Sequence, residues 1–199
     1  KGLVDRDIIR IITPGTRIDA SMLDESKPNY LCSMYKNGAN FALAFVELST
    51  GEFIVTFFPT QDYDRIFSEL CAYSPAEVIM NGEVSRNRVI GELIKQRLSA
   101  LVQTMDERFE FYNACRLLTE QFGVKSAEDL PIGASQPAIC AAGALLSYLA
   151  DTQKVALGHI NKIRVNSRGD FMELDIQTLR NLELVQSLKF GEKRGSLLW

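Results

Sequence analysis

The sequence predicts an α/β protein in which a mixed sheet begins with three antiparallel strands. Three runs of strand character lie in quick succession between residues 30 and 58, and short joints that contain glycine separate them. Segments of helical and strand character then alternate between residues 61 and 105. The middle run of the first three has apolar side chains on both faces, so we expect a central strand covered on both sides.

The chain has 199 residues, of which 46% are hydrophobic and 24% are charged. This is enough for one sizeable core, or for one domain with an appendage. The formal net charge of -3, with no Lys/Arg cluster longer than Lys193-Arg194, argues against an autonomous nucleic-acid-binding protein. No stretch approaches the roughly 20 apolar residues of a membrane span, and the first residues lack a signal-peptide pattern. We therefore expect a cytoplasmic protein with no membrane partner.

The spacing of the cysteines argues against a metal site. They are widely separated, form no C-x-x-C pair and have only His159 as a possible imidazole ligand, so zinc and iron–sulfur sites are not expected. Their even number would allow a disulfide framework, but small secreted scaffolds are denser in cysteine. We expect four reduced, mostly buried thiols. They are Cys32, Cys71, Cys115 and Cys140.

The first part of the chain contains an extended run, a turn and three strands. Residues 8–12 are a short β-branched run that predicts an edge strand or an extended linker. This run ends at Thr13-Pro14-Gly15, where proline removes a backbone donor and glycine permits a turn. Residues 19–28 are polar and predict an exposed connection. The three strands are predicted over residues 30–35, 41–48 and 52–58.

Helices and strands alternate in the next part. Apolar residues at helical spacing, with Asp62 and Asp64 in the first turn, predict a helix over residues 61–73. Strands are predicted over residues 76–80 and 101–105. The helix between them is marked by Val89, Leu93, Ile94 and Leu98. Three antiparallel strands followed by helix, strand, helix and strand is the order of the ribonuclease H-like fold, although other mixed α/β sheets share this order.

Two helices dominate the following part. The first is predicted over residues 109–122, with Gly123 as its cap. Its apolar positions are Tyr112, Cys115, Leu118 and Phe122. The second is a long apolar helix over residues 138–157, whose small residues should let another backbone come close, so we expect deep packing. Two strands are then predicted across residues 160–165 and 171–174, before a final helix that begins at Asp175 and ends near Gly191.

Several motifs occur here in the order in which MutS DNA mismatch repair proteins carry them. They are Arg-Ile-Ile-Thr-Pro-Gly-Thr at 10–16, Leu-Ser-Thr-Gly-Glu-Phe at 48–53, Gly-Ala-Leu-Leu-Ser-Tyr-Leu at 143–149, Thr-Gln at 152–153, Met-Glu-Leu-Asp at 172–175 and Thr-Leu-Arg-Asn-Leu-Glu-Leu at 178–184. The chain therefore resembles the MutS family over nearly its whole length. The resemblance implies a linker from the missing mismatch-binding domain (1–15), a ribonuclease H-like connector domain (16–158), and the truncated beginning of a mainly helical core or lever domain (159–199).

The resemblance also implies a function. The fragment would be a noncatalytic connector that relays conformational signals between mismatch-bound DNA and the ATPase domains, and it would offer a docking surface for MutL. It would hold no cofactor itself, whereas the full-length protein would bind ATP and magnesium and act as an ATPase. Mismatched DNA would be bound by the full-length protein, with little direct contact from this fragment. The full-length protein would form a homodimer, mainly through its ATPase domains.

A ribonuclease H-like fold raises the alternative of a divergent metal-dependent nuclease, because nucleases of that class hold two metal ions with carboxylates on central strands. The strand over 30–35 contains no Asp or Glu, and the strand over 76–80 contains only Glu77. Glu47 and Glu52 flank a turn, and we interpret them as solvated surface charges. We therefore predict a scaffold without a metal site and assign no catalytic, cofactor-binding or metal-binding residue. A generic interaction module outside mismatch repair is a third hypothesis.

Three other local patterns are not interpreted as functional. His159 has no catalytic partner nearby in sequence, so we expect a structural role. Residues 191–196 lack the Gly-Lys-Ser/Thr ending of a phosphate-binding loop and predict a turn. Residues 109–111 and 171–173 are similar to the Phe-x-Glu motif with which MutS proteins read mismatches. That motif belongs to the domain that this fragment lacks, so we expect Phe171 to be buried.

Overall fold

The strands lie in one mixed sheet, with helices on both of its faces. The computed structural model of the chain describes residues 11–17, 28–59, 62–98, 100–153, 157–166, 178, 181–183 and 196–197. The strands are β1 (Tyr30–Asn37), β2 (Asn40–Glu47), β3 (Glu52–Pro59), β4 (Glu77–Met80), β5 (Leu101–Thr104) and β6 (Arg164–Val165). The helices are α1 (Tyr63–Tyr73), α2 (Gly82–Ser85), α3 (Arg88–Arg97), α4 (Phe111–Phe122) and α5 (Gln136–Gln153). Short 3-10 turns occur at Pro14–Thr16, Asp106–Phe109 and Ala127–Asp129.

The strand order is β5-β4-β1-β2-β3-β6. Strand β2 runs antiparallel to its neighbours β1 and β3, whereas the other neighbouring pairs are parallel. The five strands predicted between residues 30 and 105 are confirmed as β1 to β5, with small shifts at their ends. Gly38 and Gly51 supply the positive φ angles, 57° and 75°, that the two turns between β1, β2 and β3 require.

Successive side chains of a strand point to opposite faces of the sheet, so the buried residues form one core layer on each face. On β2, Ala42, Ala44 and Val46 face α4 and α5, whereas Phe41 and Phe45 face α1 and α3. All of these side chains are buried. The prediction of a central strand covered on both sides is therefore confirmed. Within the described residues, no helix has the length and apolar content needed to cross a membrane.

The helix ends follow local chemistry. Helix α1 begins after Asp62, whose carboxylate accepts a hydrogen bond from the Arg65 N–H. Helix α4 begins after Glu110, which caps it in the same way, and ends at Gly123 in the left-handed conformation. The predicted cap at Gly123 is confirmed. The long apolar helix is also confirmed and deeply packed, although it extends over Gln136–Gln153 rather than to residue 157.

Two predicted helix faces are wrong in detail. Val89 is 54% exposed, and the buried residues of α3 are its neighbours at helical spacing, Ile90 and Ile94. Tyr112 is 80% exposed, whereas Leu118 is buried as predicted, and Ala114 takes the buried position beside it in place of Tyr112. In both helices the small or aliphatic residues that fit against a neighbouring element decide which face is buried.

The predictions near the two ends are only partly covered by the described residues. Ile11 and Ile12 are exposed and lie outside any strand, so they do not form the predicted edge strand, and residues 8–10 are not described. The strand predicted over 160–165 is reduced to β6, because residues 157–163 form a turn and an irregular segment. Residues 171–177 and 184–195 lie outside the described residues, and so do the second predicted strand, Phe171 and most of the final helix. Thr178 and Asn181 are helical, as predicted.

Helices α4 and α5 cross at a glycine, and this contact gives a test of the packing. A Cβ atom added at Gly143 would lie 2.3 Å from Ala114 Cβ and 2.5 Å from Ala114 Cα. Because one helix would have to move, Gly143→Ala should lower the free energy of unfolding by about 2 kcal/mol. The measurement is urea denaturation of both proteins.

Gly91 provides the matched control. It lies on the exposed face of helix α3, with no atom within 4 Å of an added Cβ. Because alanine favours the helix more than glycine does, Gly91→Ala should raise the free energy of unfolding by up to about 1 kcal/mol. Equal effects of the two substitutions would contradict the close α4–α5 approach.

Candidate functional site

One end of the sheet collects both segments that connect this domain to the rest of the chain. Tyr30, Glu47 and Glu52 are paired across β1, β2 and β3, so β1 and β3 begin where β2 ends. Strand β4 is parallel to β1 and begins at the same end. The lead-in turn, Thr13–Arg17, precedes β1, and the lead-out segment, Leu157–Asn166, comes after α5. The lead-in turn and the start of the lead-out segment pack at this end, and the lead-out segment then runs along β3 to its middle. Together they form the candidate site.

The lead-in turn is held by backbone and side-chain hydrogen bonds. The Gly15 N–H donates to Glu77 Oε2 at 3.0 Å, and Asn29 Nδ2 donates to Pro14 O at 2.9 Å. Just before the turn, the Ile11 N–H donates to Thr152 O on α5 at 2.7 Å. A Cβ on Gly15 would lie 2.9 Å from Glu77 Cβ, so only glycine fits this close approach without a shift.

Glu77 is the buried carboxylate beneath this turn. It is 0% exposed and points to the α5 face of the sheet. Besides the Gly15 N–H, it accepts hydrogen bonds from Tyr148 Oη at 2.5 Å and from Gln103 Nε2 at 3.2 Å. Burial, followed by the hydrogen bond to Glu77, raises the pKa of Tyr148 to about 12. Tyr148 is therefore a neutral donor at ordinary pH, and the turn, the sheet and α5 meet at one carboxylate.

The lead-out segment packs against the turn between β2 and β3. His159 Nε2 is hydrogen-bonded to Leu48 O at 2.8 Å, which gives this histidine a structural contact. A Cβ at Gly51 would lie 2.5 Å from His159 O, so the two backbones are in close contact. From α4, Gln121 Nε2 donates to Leu157 O at 2.9 Å and to Ile160 O at 2.8 Å. The segment is thus fixed to both the sheet and α4.

Asn166 fixes the end of the lead-out segment to α1 and β3. Its N–H donates to Val55 O at 3.0 Å, and its carbonyl oxygen accepts from Arg65 Nη2 at 3.1 Å and from Thr56 Oγ1 at 3.3 Å. Its side-chain Nδ2 donates to both carboxylate oxygens of Glu69, at 3.0 and 3.1 Å. Arg65 and Glu69 are themselves buried on α1. We call these contacts the Asn166 clamp.

A second polar contact joins β1, β3 and β6. Tyr30 Oη donates to Glu52 Oε2 at 2.5 Å, and Arg164 Nη2 donates to Glu52 Oε1 at 2.8 Å. Burial, followed by the hydrogen bond to Glu52, raises the pKa of Tyr30 well above its usual value. Glu52 therefore links the start of the sheet to the lead-out segment.

The interpretation of Glu47 as a solvated surface charge is wrong. Glu47 is 3% exposed, and its carboxylate accepts hydrogen bonds from Ser49 Oγ at 2.8 Å and the Thr50 N–H at 2.7 Å. Burial acts to raise the pKa of Glu47, but the hydrogen bonds from Thr50 and Ser49 outweigh it, so this pKa is lowered. The side chain stabilises the β2–β3 turn.

The carboxylates considered for a nuclease lie on opposite faces of the sheet. Glu47 and Glu52 are register partners on the α1 face, whereas Glu77 points to Tyr148 on the α5 face. Each of them is hydrogen-bonded within the fold. Among the described residues, no group of three or more His, Cys, Asp or Glu side chains could hold a metal ion. Nothing in this arrangement favours the nuclease alternative.

The other singled-out residues have structural surroundings. Phe109 is buried, and Glu110 accepts hydrogen bonds from the Tyr112 and Asn113 N–H groups at the start of α4. The four cysteines are free, with Cys32 and Cys140 buried and the other two half-buried. Burial raises the pKa of the Cys140 thiol to about 11. Burial also raises the pKa of the Cys32 and Cys115 thiols, so these three thiols are protonated at ordinary pH.

Comparison with known proteins identifies the family. Residues 29–161 match the family model described as MutS domain II, and this range contains the whole sheet except β6. The chain belongs to the MutS family. Relatives named DNA mismatch repair protein MutS are 40% identical over 201 residues in Ruminiclostridium cellulolyticum and 41% identical over 207 residues in Acetivibrio thermocellus. Each match covers 100% of this chain, and the chain spans about 23% of the length of either relative.

The residues that build the MutS domain's connections were only partly visible in the sequence. Tyr148 lies in the MutS-like motif at 143–149, but the motif does not mark it as a hydrogen-bond donor to Glu77. Asn166 lies in no local motif, so the sequence assigned no role to either residue. Glu77 carried a usable signal, since a single carboxylate precedes the apolar run of Val78, Ile79 and Met80. A charge in a strand predicted to be buried requires partners, and it would have pointed to a polar network.

The lowered pKa of Glu47 gives a prediction about pH. A carboxylate with a folded-state pKa below its ordinary value of 4.5 contributes stability above that value and loses the contribution as pH falls through the folded pKa. Glu47→Gln should therefore unfold more easily than wild type at about pH 7, by about 1 kcal/mol, and should show a smaller loss of stability on acidification.

The measurement is urea denaturation between about pH 7 and pH 3.5. The control is Glu92→Gln on exposed helix α3, which removes a carboxylate without removing a buried hydrogen-bond acceptor. If the free energy of unfolding changed with pH in the same way for wild type and Glu47→Gln, the Glu47 contacts would not be a pH-dependent source of stability.

Proposed function

We propose that this chain is the noncatalytic connector of a MutS DNA mismatch repair protein and relays conformational changes between mismatch-bound DNA and the ATPase domains. The carrying observation is that the lead-in turn and the start of the lead-out segment are both anchored at the same end of one sheet, through Glu77 and through the bond of His159 to Leu48. Asn166 then clamps the far end of the lead-out segment beside the middle of β3. The relatives, named DNA mismatch repair protein MutS, supply the biological setting.

The packing favours a relay that moves as a rigid body. Close-packed interiors transmit displacement because they resist compression. Both layers of the core pack against the same strands, so a force applied at the lead-in turn reaches the lead-out segment through β4, β1, β2 and β3. Allosteric transitions commonly use such rigid units, which move about their connections.

The fold class of the scaffold belongs to the same proposal. The order β3-β2-β1-β4-β5, with β2 antiparallel to the others, supports a ribonuclease H-like domain that lacks a metal site. The proposed divisions are a linker at 1–15, the connector at 16–158 and the beginning of the core or lever domain at 159–199. Strand β6 lies in the last of these and pairs with β3, so that part begins while packed against the connector.

The remaining functions belong to the longer protein. ATP and magnesium would bind in its ATPase domains, which would also form most of the homodimer contact, and mismatched DNA would be held mainly by other domains. The net charge of -3 supports the absence of extensive DNA contact in this part. Such a repair protein would act in the cytoplasm.

Docking of MutL is the second part of the proposal. Two surfaces expose large apolar side chains that a partner protein could cover. One is Tyr112 at the start of α4, and the other comprises Leu101 and Val102 on β5. Exposed apolar and aromatic side chains are common in protein–protein interfaces.

A titration tests the docking. Adding the amino-terminal domain of MutL to the isotope-labelled chain should change NMR chemical shifts on one face only. Tyr112→Ala and Val102→Ala are a matched pair, because they truncate one exposed residue on each surface, and only one of them should weaken the binding. Absence of shift changes at high MutL concentration would contradict docking and would leave the relay unaffected.

The relay is tested in the full-length protein. Asn166→Ala removes the bond to Glu69 and leaves that carboxylate short of a donor, which should loosen the clamp. ATP should then change the affinity for a mismatched duplex by a factor about fivefold smaller than in wild type. The measurement is mismatch binding by fluorescence anisotropy with and without ATP.

Glu92→Ala, on the exposed face of α3, is the control and should leave the ATP effect unchanged. Amide exchange at Asn166 verifies that the clamp has been loosened. A loosened clamp with an unchanged ATP effect would contradict the relay.

A further inference from the structure

We infer that the lead-in turn, Thr13–Arg17, is a detachable contact of the domain, held by Glu77 and able to open while the rest of the fold stays closed. This inference rests on the proposed relay for its purpose but not for its physical basis. Glu77 is the buried carboxylate to which the turn, β5 and α5 all contribute a donor.

The hydrogen bonds to Glu77 make an open state accessible. When the turn leaves, the carboxylate loses the Gly15 N–H but keeps Tyr148 Oη and Gln103 Nε2. Water can enter the space that Gly15 vacates and replace the lost donor. The Glu77 carboxylate therefore keeps hydrogen-bond partners in the open state. A buried carboxylate without any partner would make opening prohibitively costly.

The turn is also built as a unit. The Thr13 N–H donates to Thr16 Oγ1 at 2.9 Å, and the Thr16 N–H donates to Thr13 O at 3.1 Å. These bonds lie within the turn, so they need not break for it to leave the sheet, but in water so short a turn no longer protects its amides from exchange. The contacts that must break include those of Gly15 with Glu77, of Asn29 with Pro14 and Arg17, and of Thr13 with Tyr148.

The two connections differ in strength, and the lead-in turn is the weaker. The lead-out segment adds a strand to the sheet and carries the Asn166 clamp, the Glu52–Arg164 ion pair and two bonds from Gln121. Regions with fewer buried contacts open at lower free energy than the body of the fold. Opening should therefore occur first at the lead-in turn. In the relay, the domain that precedes this turn would gain freedom while the connector stays attached to the core or lever domain through the lead-out segment.

Hydrogen exchange of single amides in the 199-residue chain, monitored by NMR, tests the inference. In wild type, the amides of Gly15 and Thr16 should exchange faster than those of the central residues of β2. Glu77→Gln replaces one carboxylate oxygen by an NH2 group, which cannot accept a hydrogen bond from the three donors around it. Exchange at Gly15 and Thr16 should therefore rise about tenfold or more. Gly15→Ala, whose Cβ would lie 2.9 Å from Glu77 Cβ, should do the same.

Glu69→Gln is the matched control, because it neutralises the buried carboxylate of the Asn166 clamp. It should raise exchange at Asn166 and not at Gly15. If Glu77→Gln fails to fold, Gly15→Ala carries the test, since it leaves the Glu77 carboxylate and its bonds from Tyr148 and Gln103 in place.

Two results would overturn the inference. One is exchange of Gly15 and Thr16 at the rate of the β2 amides in wild type, which would mean that the turn leaves only when the domain unfolds. The other is unchanged exchange at the turn in folded Gly15→Ala. The relay fails separately, and only in the full-length protein, if a turn opened by Gly15→Ala leaves the effect of ATP on mismatch binding unchanged.

Discussion

Helix α5 lies between the sheet and α4, and its close contact with both is the constraint on which this domain depends. Small residues allow the contact on each side. Ser33 Oγ on β1 donates to Ala141 O at 2.5 Å, and Gly143 leaves no room for a Cβ beside Ala114. Because interiors at this density deform little, the helix cannot shift without moving the strands that it covers. The same helix carries the residues that hold the beginning of the domain.

Among the described residues, buried polar groups attach the connecting segments to the sheet and its helices. Glu77 and Asn166 are each hydrogen-bonded from more than one element, and they lie where the chain enters and leaves the domain. Buried polar networks are costly when incomplete and directional when complete, so they fix orientation more sharply than apolar contacts alone. In the proposed relay, connections of this kind would pass movement between neighbouring domains. The unequal number of contacts at the two connections would give that movement a preferred starting point.

The position of the acidic residues explains how a sheet of this topology serves as a scaffold. Glu47 stabilises a turn, Glu52 joins β1, β3 and β6, and Glu77 faces the opposite side. Carboxylates that hold metal ions must converge with free oxygen atoms. Here, each carboxylate is already an acceptor for neighbouring donors. The chain belongs to the MutS family and spans about 23% of the length of its relatives, and this arrangement of carboxylates supports the mechanical role proposed for it.

The sequence by itself determined the order and type of β1 to β5 and of α1, α3, α4 and α5, but not the short helix α2. Alternation, helical spacing and glycine positions predict these elements because they act through local backbone geometry. Gly123 as a helix end and the two-sided burial of β2 follow from such local signals. The tertiary structure alone decided that Glu47 is buried, that Tyr112 is exposed and that Glu77 holds Gly15, 62 residues before it. The side of an element that becomes buried depends on the shape of its neighbour, and a hydrogen bond between distant residues leaves no periodic pattern in the sequence.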